Sequence, residues 1–311
     1  MTSYERALRL LTDHPHVRTW PELAAACERA RAHRPIAWDF PLRAAQAVGG
    51  QAEAAIPAVA ANTCTHMALI LIDDLLDEDP RGAQHRLGAG RAANLAAGLL
   101  ALGTQVLLES NCSERLRAAR ALNDMILRTG YGQDLDVQNL QTEDAYWQVT
   151  RAKSSPYFGT ALCLGALFGE RLDAAERLQE FGELFGEIMQ IHDDLNDCLA
   201  VPANVDWIQG RSPLPILFAQ TVAHPERERF MKLRSQVEDA VILEEVQTIL
   251  VRCGAISYSV NELILRQKKA EKMLAAMRLA DPQPLAQLLE EAIAPVQHLF
   301  AKVGAEFPVA K

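Results

Sequence analysis

The chain has 311 residues, of which 49% are hydrophobic and only 6% aromatic, and 40 acidic against 31 basic residues give a formal net charge of -9. The hydrophobic share excludes a mainly disordered chain, and the acidic balance leaves no broad basic face for wrapping nucleic acid. The six cysteines are scattered without a C-x-x-C pair, so neither a zinc site nor a redox motif is indicated. Apolar runs such as 67–72 are too short to cross a bilayer, which predicts a cytoplasmic protein without stable membrane insertion.

Apolar residues recur at helical spacing along most of the chain. The segment Ala55–Leu76 is apolar on nearly all sides and has Pro57 in its first turn, which predicts a central buried helix. The remaining predicted helices are, in chain order, Ala92–Leu108, Ala118–Arg128, Glu143–Gly169, Ala174–Leu199, Leu214–Thr221, Glu238–Arg252, Ile256–Met277 and Pro284–Phe300. Turn residues such as Gly130 and Pro202 are expected to separate them.

The same pattern fixes the expected fold class. No strand-like alternation of convincing length and no linker rich in Gly, Ser or Pro interrupts the helical pattern. We therefore predict an all-α protein, in which residues 1–311 form a single-domain bundle of roughly ten or more helices around a central cavity.

Two short acidic motifs carry most of the chemical information. Residues 73–77 read DDLLD and residues 193–197 read DDLND, each near the end of an apolar helix. Residues four apart share a helix face, so the first and last carboxylates of each motif point together and repel unless a cation lies between them. The candidate metal ligands are Asp73, Asp74, Asp77, Asp193, Asp194 and Asp197.

The donor type selects the metal and the chemistry. One such motif alone would equally fit a solvated helix end, but two copies suggest clusters of hard oxygen ligands, which suit Mg²⁺ together with phosphate oxygens. A di-iron bundle would need Glu-x-x-His pairs, and the sequence contains none. The implied reaction is departure of a diphosphate beside an apolar bundle interior that shields a carbocation from water.

Further motifs make the chain resemble the trans-isoprenyl diphosphate synthase (polyprenyl synthetase) family, which has the class I terpenoid synthase fold. Residues 132–136 match G-Q-x-x-D, and residues 189–197 match F-Q-x-x-D-D-x-x-D with Met in place of Phe. Tyr146 and Lys153 match the Y…K-T element, with Ser154 in place of Thr. Residues 206–215 fit D-x-x-x-G-K-x-T-x-P, with Arg211 in place of Lys and Pro213 in place of Thr.

The resemblance implies a role for each matched position. Asp73, Asp77 and Asp193 would hold Mg²⁺ on an allylic prenyl diphosphate, supported by the other motif aspartates. Lys153 and Arg211 would bind the same diphosphate, and Gln190 would lie near the reacting carbons. The expected cofactor is Mg²⁺, about three ions per active site, and the resemblance implies a homodimer.

The acceptor side departs from the family pattern. The family binds isopentenyl diphosphate with G-G-K-R-x-R-P, a His before the first motif and R-R after it. Here the first element has lost its glycines, and the matching positions are Arg31, Arg34, His66 and a single Arg81. Arg31 and Arg34 equally fit surface charges on a helix end, and a lone histidine such as His66 is more often a satisfied core histidine.

This asymmetry leaves four hypotheses. The first is a prenyltransferase that couples an allylic diphosphate head-to-tail to isopentenyl diphosphate. The second is a class I terpene cyclase on the same scaffold, and the third is a prenyltransferase with an aromatic or peptide acceptor. The fourth, which the intact second motif disfavours, is a non-catalytic synthase subunit.

Overall fold

The computed structural model describes residues 1–35, 37–139 and 141–302, with side chains as far as residue 296. Within these ranges the regular structure is helical throughout and contains no strand, so the all-α prediction is confirmed. The chain forms two compact units, and each unit draws on several separate segments of the sequence. The single-domain assignment of residues 1–311 stays a prediction.

The first unit comprises residues 1–128, 157–182 and 275–285. Its own helices are α1 (Ser3–Asp13), α2 (Pro15–Thr19), α3 (Pro21–Ala32), α4 (Phe40–Ala47), α5 (Ile56–Leu76), α6 (Gln84–Leu87) and α7 (Ala89–Glu109). The second unit comprises residues 129–156, 183–274 and those from 286 onward. Its own helices are α9 (Glu143–Lys153), α12 (Val205–Ile208), α13 (Leu214–Thr221), α14 (Arg227–Leu233) and α15 (Ala240–Arg252).

Several helices have residues in both units. They are α8 (Arg115–Val137), α10 (Ser155–Phe168), α11 (Leu172–Leu199), α16 (Ala255–Ala276) and α17 (Gln283–Lys302). A short 3₁₀ helix, Arg234–Gln236, follows α14 in the second unit.

The core of the first unit is built around α5, which packs mainly against α7. Small residues on α5, including Ala60, Ala61 and Cys64, are fully buried, so the two helix backbones approach closely. Pro57 lies in the first turn of α5, where the missing amide hydrogen leaves no helical bond unmade. This packing places the C-terminal end of α5, and with it the first acidic motif, at the edge of an apolar core.

The core of the second unit gathers short helices around large side chains. Trp207 of α12 packs against Phe230 of α14, with a distance of 6.1 Å between the ring centroids. Val246 and Leu250 of α15 complete this cluster and are fully buried. Asp239 caps the N-terminus of α15 by accepting hydrogen bonds from two backbone amides.

The structure differs from the predicted helices in three places that have a physical reason. The predicted helix Glu143–Gly169 is two helices, because Pro156 fits only a first helical turn and therefore begins α10 after a break at Ser154. Gly130 does not end a helix, since α8 continues through it to Val137 and an exposed glycine costs a helix only about 1 kcal/mol. The helices before residue 50 were not predicted, because prolines at the starts of α2, α3 and α4 divide this region into separate segments.

Two helices, Ile56–Leu76 and Ala89–Glu109, are long and apolar enough by length and composition to cross a membrane. Uninterrupted apolar runs do not reveal these two helices, because polar residues such as Asn62 and Thr63 interrupt the first of them. In the structure 61% of the apolar window of the first helix is buried inside the protein, as expected for a core helix.

A close backbone approach inside the first unit gives a stability prediction. A Cβ atom at Gly165 would lie 2.3 Å from the carbonyl oxygen of Pro41, which belongs to the backbone and cannot rotate away. Gly165→Ala is therefore expected to destabilise the protein by about 1–3 kcal/mol, measured as a lower urea midpoint. The control is Gly90→Ala in α7, where an added Cβ meets nothing within 4 Å. Equal midpoints for the two variants would contradict the packing.

Candidate functional site

The first acidic motif lies at the C-terminal end of α5. Asp73 and Asp74 belong to the last turn, and Asp77 is the C-cap, whose amide donates to the carbonyl of Asp73 at 2.9 Å. The C-terminal end of a helix carries partial negative charge, and the last turn of α5 contains no basic residue. Burial, and then the charge of Asp79, raises the pKa of Asp74. This end of the helix therefore favours a bound cation.

The loop after the first motif is tied to it by side chains. Asp79 Oδ2 lies 2.7 Å from Arg81 Nη2, and the Arg81 backbone amide donates to the same carboxylate. Gln84 Nε2 donates to the carbonyls of Asp74 and Asp79 at 2.9 and 3.0 Å. The guanidinium of Arg81 is thus held beside the motif, although its side chain remains 83% exposed.

Two of the predicted acceptor-binding arginines lie near the end of α3. Arg31 is exposed and pairs with Glu28 on its own helix, at 3.1 Å. The guanidinium of Arg34 lies 5.4 Å from the ring centroids of both Tyr4 and Trp38. These aromatic faces attract a cation and orient it. Arg34 therefore has a defined position, whereas Arg31 resembles an ordinary surface charge.

His66 is held in α5 against apolar and aromatic neighbours. Its ring centroid lies 5.3 Å from that of Tyr157, and its Nδ1 atom is buried without a hydrogen-bond partner among the described residues. Burial lowers the pKa of His66 from 6.5 to about 4. His66 is therefore neutral near pH 7 and offers an anion one N–H group rather than a charge.

The second acidic motif lies in the last two turns of α11. Asp193 is exposed, Asp197 is partly buried and Asp194 is only 4% exposed. Asp194 Oδ1 accepts a hydrogen bond from Gln190 Nε2 at 2.8 Å, and its Oδ2 accepts one from the backbone amide of Leu214 at 2.7 Å. Burial raises the pKa of Asp194 to about 7. Asp194 thus joins α11 to the start of α13.

Gln190 is engaged at both ends of its amide. Its Oε1 atom accepts a hydrogen bond from Ser154 Oγ at 2.6 Å, while its Nε2 atom donates to Asp194. Ser154 follows directly after Lys153 at the end of α9. Gln190 therefore fixes the end of α9 relative to the second motif, and its placement near reacting carbons stays a prediction.

Lys153 and Arg211 converge on one carboxylate in the second unit. Lys153 Nζ lies 2.7 Å and Arg211 Nη1 lies 3.6 Å from Oδ2 of Asp136. Arg211 also lies 4.0 Å from Asp206, whose pKa burial raises to about 6 while Arg211 opposes that rise. Two cations predicted to bind the same diphosphate are thus neighbours, held together by a carboxylate between them.

A second ionic cluster positions α9. Arg266 Nε lies 2.7 Å from one carboxylate oxygen of Glu187, and Arg151 Nε lies 3.0 Å from the other. The guanidinium of Arg266 also stacks 3.7 Å from the ring centroid of Trp147. These contacts join α9, α11 and α16, so the helix that carries Lys153 is anchored on two sides.

The sequence indicates the two candidate cations, Lys153 and Arg211, but not their partners. Asp136 and Asp206 stand in the sequence only as parts of family motifs, and no motif contains Arg266. Motif spacing could have identified the two aspartates. Arg266 has no such signal, because its partner Glu187 is 79 residues away.

Among the described residues, protein atoms alone form no complete metal site. In the part of the chain that the structure describes, no three His, Cys, Asp or Glu side chains are grouped so that they could hold a metal ion. Each motif supplies carboxylate oxygens on one helix end, and Mg²⁺ usually completes its coordination with water and substrate phosphates. The donor types fit Mg²⁺, and the assignment of individual ligands stays a prediction.

The environment of His66 predicts a pH dependence of stability. The histidine takes up a proton at about pH 6.5 in the unfolded chain but only at about pH 4 in the folded one, so stability falls as the pH drops between these values. We expect His66→Leu to lose part of this decrease, by up to about 3 kcal/mol, in urea unfolding at a series of pH values. The exposed His33→Gln variant is the control and should keep the wild-type profile. A profile of His66→Leu identical to the wild type would contradict this account.

Comparison with known proteins places the chain in a family. The family model described as Polyprenyl synthetase matches residues 27–250. Octaprenyl diphosphate synthase of Escherichia coli is 26% identical over 261 residues, covering 79% of this chain and 80% of that protein. Geranylgeranyl diphosphate synthase of Methanosarcina mazei is 27% identical over 251 residues, covering 76% and 77%. A crystal structure of polyprenyl synthase from Caulobacter crescentus superposes with a TM-score of 0.79 at 20% identity, covering 94% of each chain. With its helical fold and its two acidic helix ends, the chain belongs to the polyprenyl synthetase family.

Proposed function

We propose that this protein is a Mg²⁺-dependent prenyltransferase that ionises an allylic prenyl diphosphate and couples it head-to-tail to isopentenyl diphosphate. The observation that carries the proposal is the position of the matched motif residues. Two carboxylate motifs lie at helix ends, and the Lys153–Arg211 pair lies in the same unit as the second motif. The names of the related synthases support this reaction type.

Asp73, Asp77 and Asp193 are proposed to hold the metal ions, with Asp74 and Asp197 beside them. When bound, Mg²⁺ would neutralise charge on the departing diphosphate. Asp194 contributes differently, because both its oxygens accept hydrogen bonds from the protein. We propose that Asp194 supports the site by fixing α13 to α11.

Lys153 and Arg211 are proposed to bind the diphosphate. Their shared partner Asp136 offsets the repulsion between the two neighbouring cations before substrate arrives. A diphosphate has several oxygens and more charge than one carboxylate, so it can accept from both cations at once. These groups stabilise charge on the leaving group as the carbon–oxygen bond breaks.

The acceptor diphosphate is proposed to bind at Arg34, with His66, Arg31 and Arg81 contributing. Arg34 is the best positioned of these, since it lies against two aromatic rings. The neutral imidazole of His66 would donate one hydrogen bond. A cytoplasmic location, which the six unpaired cysteines support, and a homodimer complete the proposal.

The direct test is a product assay. Purified protein is incubated with Mg²⁺ and geranyl, farnesyl or geranylgeranyl diphosphate, with and without isopentenyl diphosphate, and the products are extracted. Longer prenyl diphosphates are expected only when isopentenyl diphosphate is present. Hydrocarbons or alcohols formed without it would instead indicate a cyclase. No diphosphate release under any of these conditions would favour a non-catalytic subunit or a different acceptor, such as an aromatic molecule or a peptide.

Variants in that assay test the metal ligands. Asp73→Ala and Asp193→Ala are each expected to lower turnover at least about a hundredfold, because charge on the leaving group is no longer neutralised. Glu176→Ala is the control, since this exposed carboxylate lies on the same helix as Asp193. Near-normal diphosphate release by either aspartate variant would reject its assignment.

The contact between α8 and α9 gives a second activity prediction. A Cβ atom at Gly132 would lie 2.2 Å from the backbone nitrogen of Lys153, so Gly132→Ala must displace the residue that binds the diphosphate. We expect the KM for the allylic substrate to rise about tenfold or more, since a small displacement of the charged Lys153 side chain weakens substrate binding strongly. Gly130→Ala, two residues earlier on the same helix with nothing within 4 Å, is the matched control and should behave as the wild type. Unchanged kinetics of a folded Gly132→Ala enzyme would argue against a role for Lys153.

A further inference from the structure

Arg234 is a buried, charged side chain that contacts the loop carrying Arg211. It caps the C-terminus of α14 and begins the 3₁₀ helix, and it is only 8% exposed. A buried arginine without a carboxylate partner is rare, because desolvating its charge is unfavourable. Burial lowers the pKa of Arg234, and the guanidinium nevertheless stays protonated near neutral pH.

The guanidinium of Arg234 holds three consecutive residues of that loop. Its Nη2 atom donates to the carbonyl of Gly210 at 2.7 Å, to the carbonyl of Arg211, and to Ser212 Oγ at 3.3 Å. Its Nη1 atom donates to Gln220 Oε1, and Gln220 Nε2 in turn donates to Ser212 Oγ at 2.9 Å. Arg211 thus belongs to a segment whose backbone carbonyls accept hydrogen bonds from a buried arginine.

Two further hydrogen bonds hold the loop. Asn139 Nδ2 donates to the carbonyl of Gly210 at 3.1 Å, and the Arg211 amide donates to the carbonyl of Asp206 at 2.8 Å. These contacts are neutral, whereas those of Arg234 are charge-assisted and correspondingly stronger. Arg234 therefore supplies charge-assisted hydrogen bonds to the backbone of the loop.

The charge of Arg234 is not balanced by the acceptors it contacts. All four are neutral oxygens, and within the described ranges no ion pair of Arg234 with Asp or Glu is present. An uncompensated buried cation raises the positive potential around the adjacent loop. An anion that binds at Arg211 would supply the missing negative charge.

We propose that Arg234 is a positioning residue that fixes the Gly210–Ser212 loop, so that the Arg211 guanidinium is held ready for the leaving diphosphate. The inference rests on the proposed function, since it assumes that Arg211 binds that group. Two parallel sets of donors on one planar fork allow Arg234 to reach the loop and Gln220 together. Lysine has a point charge in place of this fork and can satisfy only part of the set.

The test compares variants at both arginines. Arg234→Lys, Arg234→Met, Arg211→Ala and the double variant Arg211→Ala/Arg234→Met are assayed for kcat and for the KM of the allylic diphosphate. Binding of inorganic pyrophosphate with Mg²⁺ is measured by calorimetry, which reports on the site without turnover. Arg229→Ala is the matched control, because this exposed arginine lies on α14 and pairs only with Glu245 among the described residues.

A positioning role predicts a specific pattern. Arg234→Met should raise the KM and weaken pyrophosphate binding about tenfold, Arg234→Lys should lie between it and the wild type, and Arg229→Ala should match the wild type. The double variant should lose no more than Arg211→Ala alone, because both act through one group. Urea unfolding identifies variants that do not fold, and if Arg234→Met is one of them, Arg234→Lys decides the outcome.

The possible failures are distinguishable. If Arg211→Ala binds pyrophosphate as well as the wild type does, the proposed role of Arg211 is wrong and this inference is overturned with it. If Arg211→Ala is impaired while a folded Arg234 variant binds normally, or if the two effects are additive, only the role of Arg234 is overturned. An impaired Arg234→Lys that folds normally, combined with non-additivity, supports the proposal.

Discussion

Charged and polar groups beside an apolar helical core need hydrogen-bond or ion-pair partners, and this constraint organises the second unit. Both oxygens of Asp194 accept hydrogen bonds, Asp136 lies between two cations, and Arg234 donates to four neutral oxygens. Each of these sets of contacts joins separate elements of the chain. The polar groups that stabilise the arrangement of α9, α11 and α13 are therefore the same groups that place Lys153 and Arg211 as neighbours.

Much of the fold could be predicted from hydrophobic spacing, because the residues of a helix that face the core recur every three to four positions. The bounds of Leu214–Thr221 agreed with the structure, and those of the central helix Ile56–Leu76 differed by one residue. Prediction failed where one residue decided between two structures with similar patterns. At Ser154 the apolar spacing continues across the break into α10, and at Gly130 a residue typical of turns lies within a helix.

The candidate site residues could be named from the sequence where they lie in local motifs. The acidic runs were noticed from their spacing, and Lys153 and Arg211 from their match to family motifs, whereas the contacts of their neighbours depend on the whole fold. The ring stacking of Arg34, the burial of His66 and the double engagement of Gln190 follow from residues far away in the chain. Spacing also could not separate Asp194 from Asp193, although one is buried and the other exposed.

The hydrogen bonds from Arg234 to the Gly210–Ser212 loop matter for every related protein that shares the aspartate motifs. The arginine that holds this loop lies 24 residues after Gly210, outside the short motifs used to recognise the site. A relative could therefore keep both aspartate motifs and still lose the position of the arginine that corresponds to Arg211. The presence of the motifs and the ability to bind the diphosphate are separate properties, and the second also depends on the side chain that holds the Gly210–Ser212 loop.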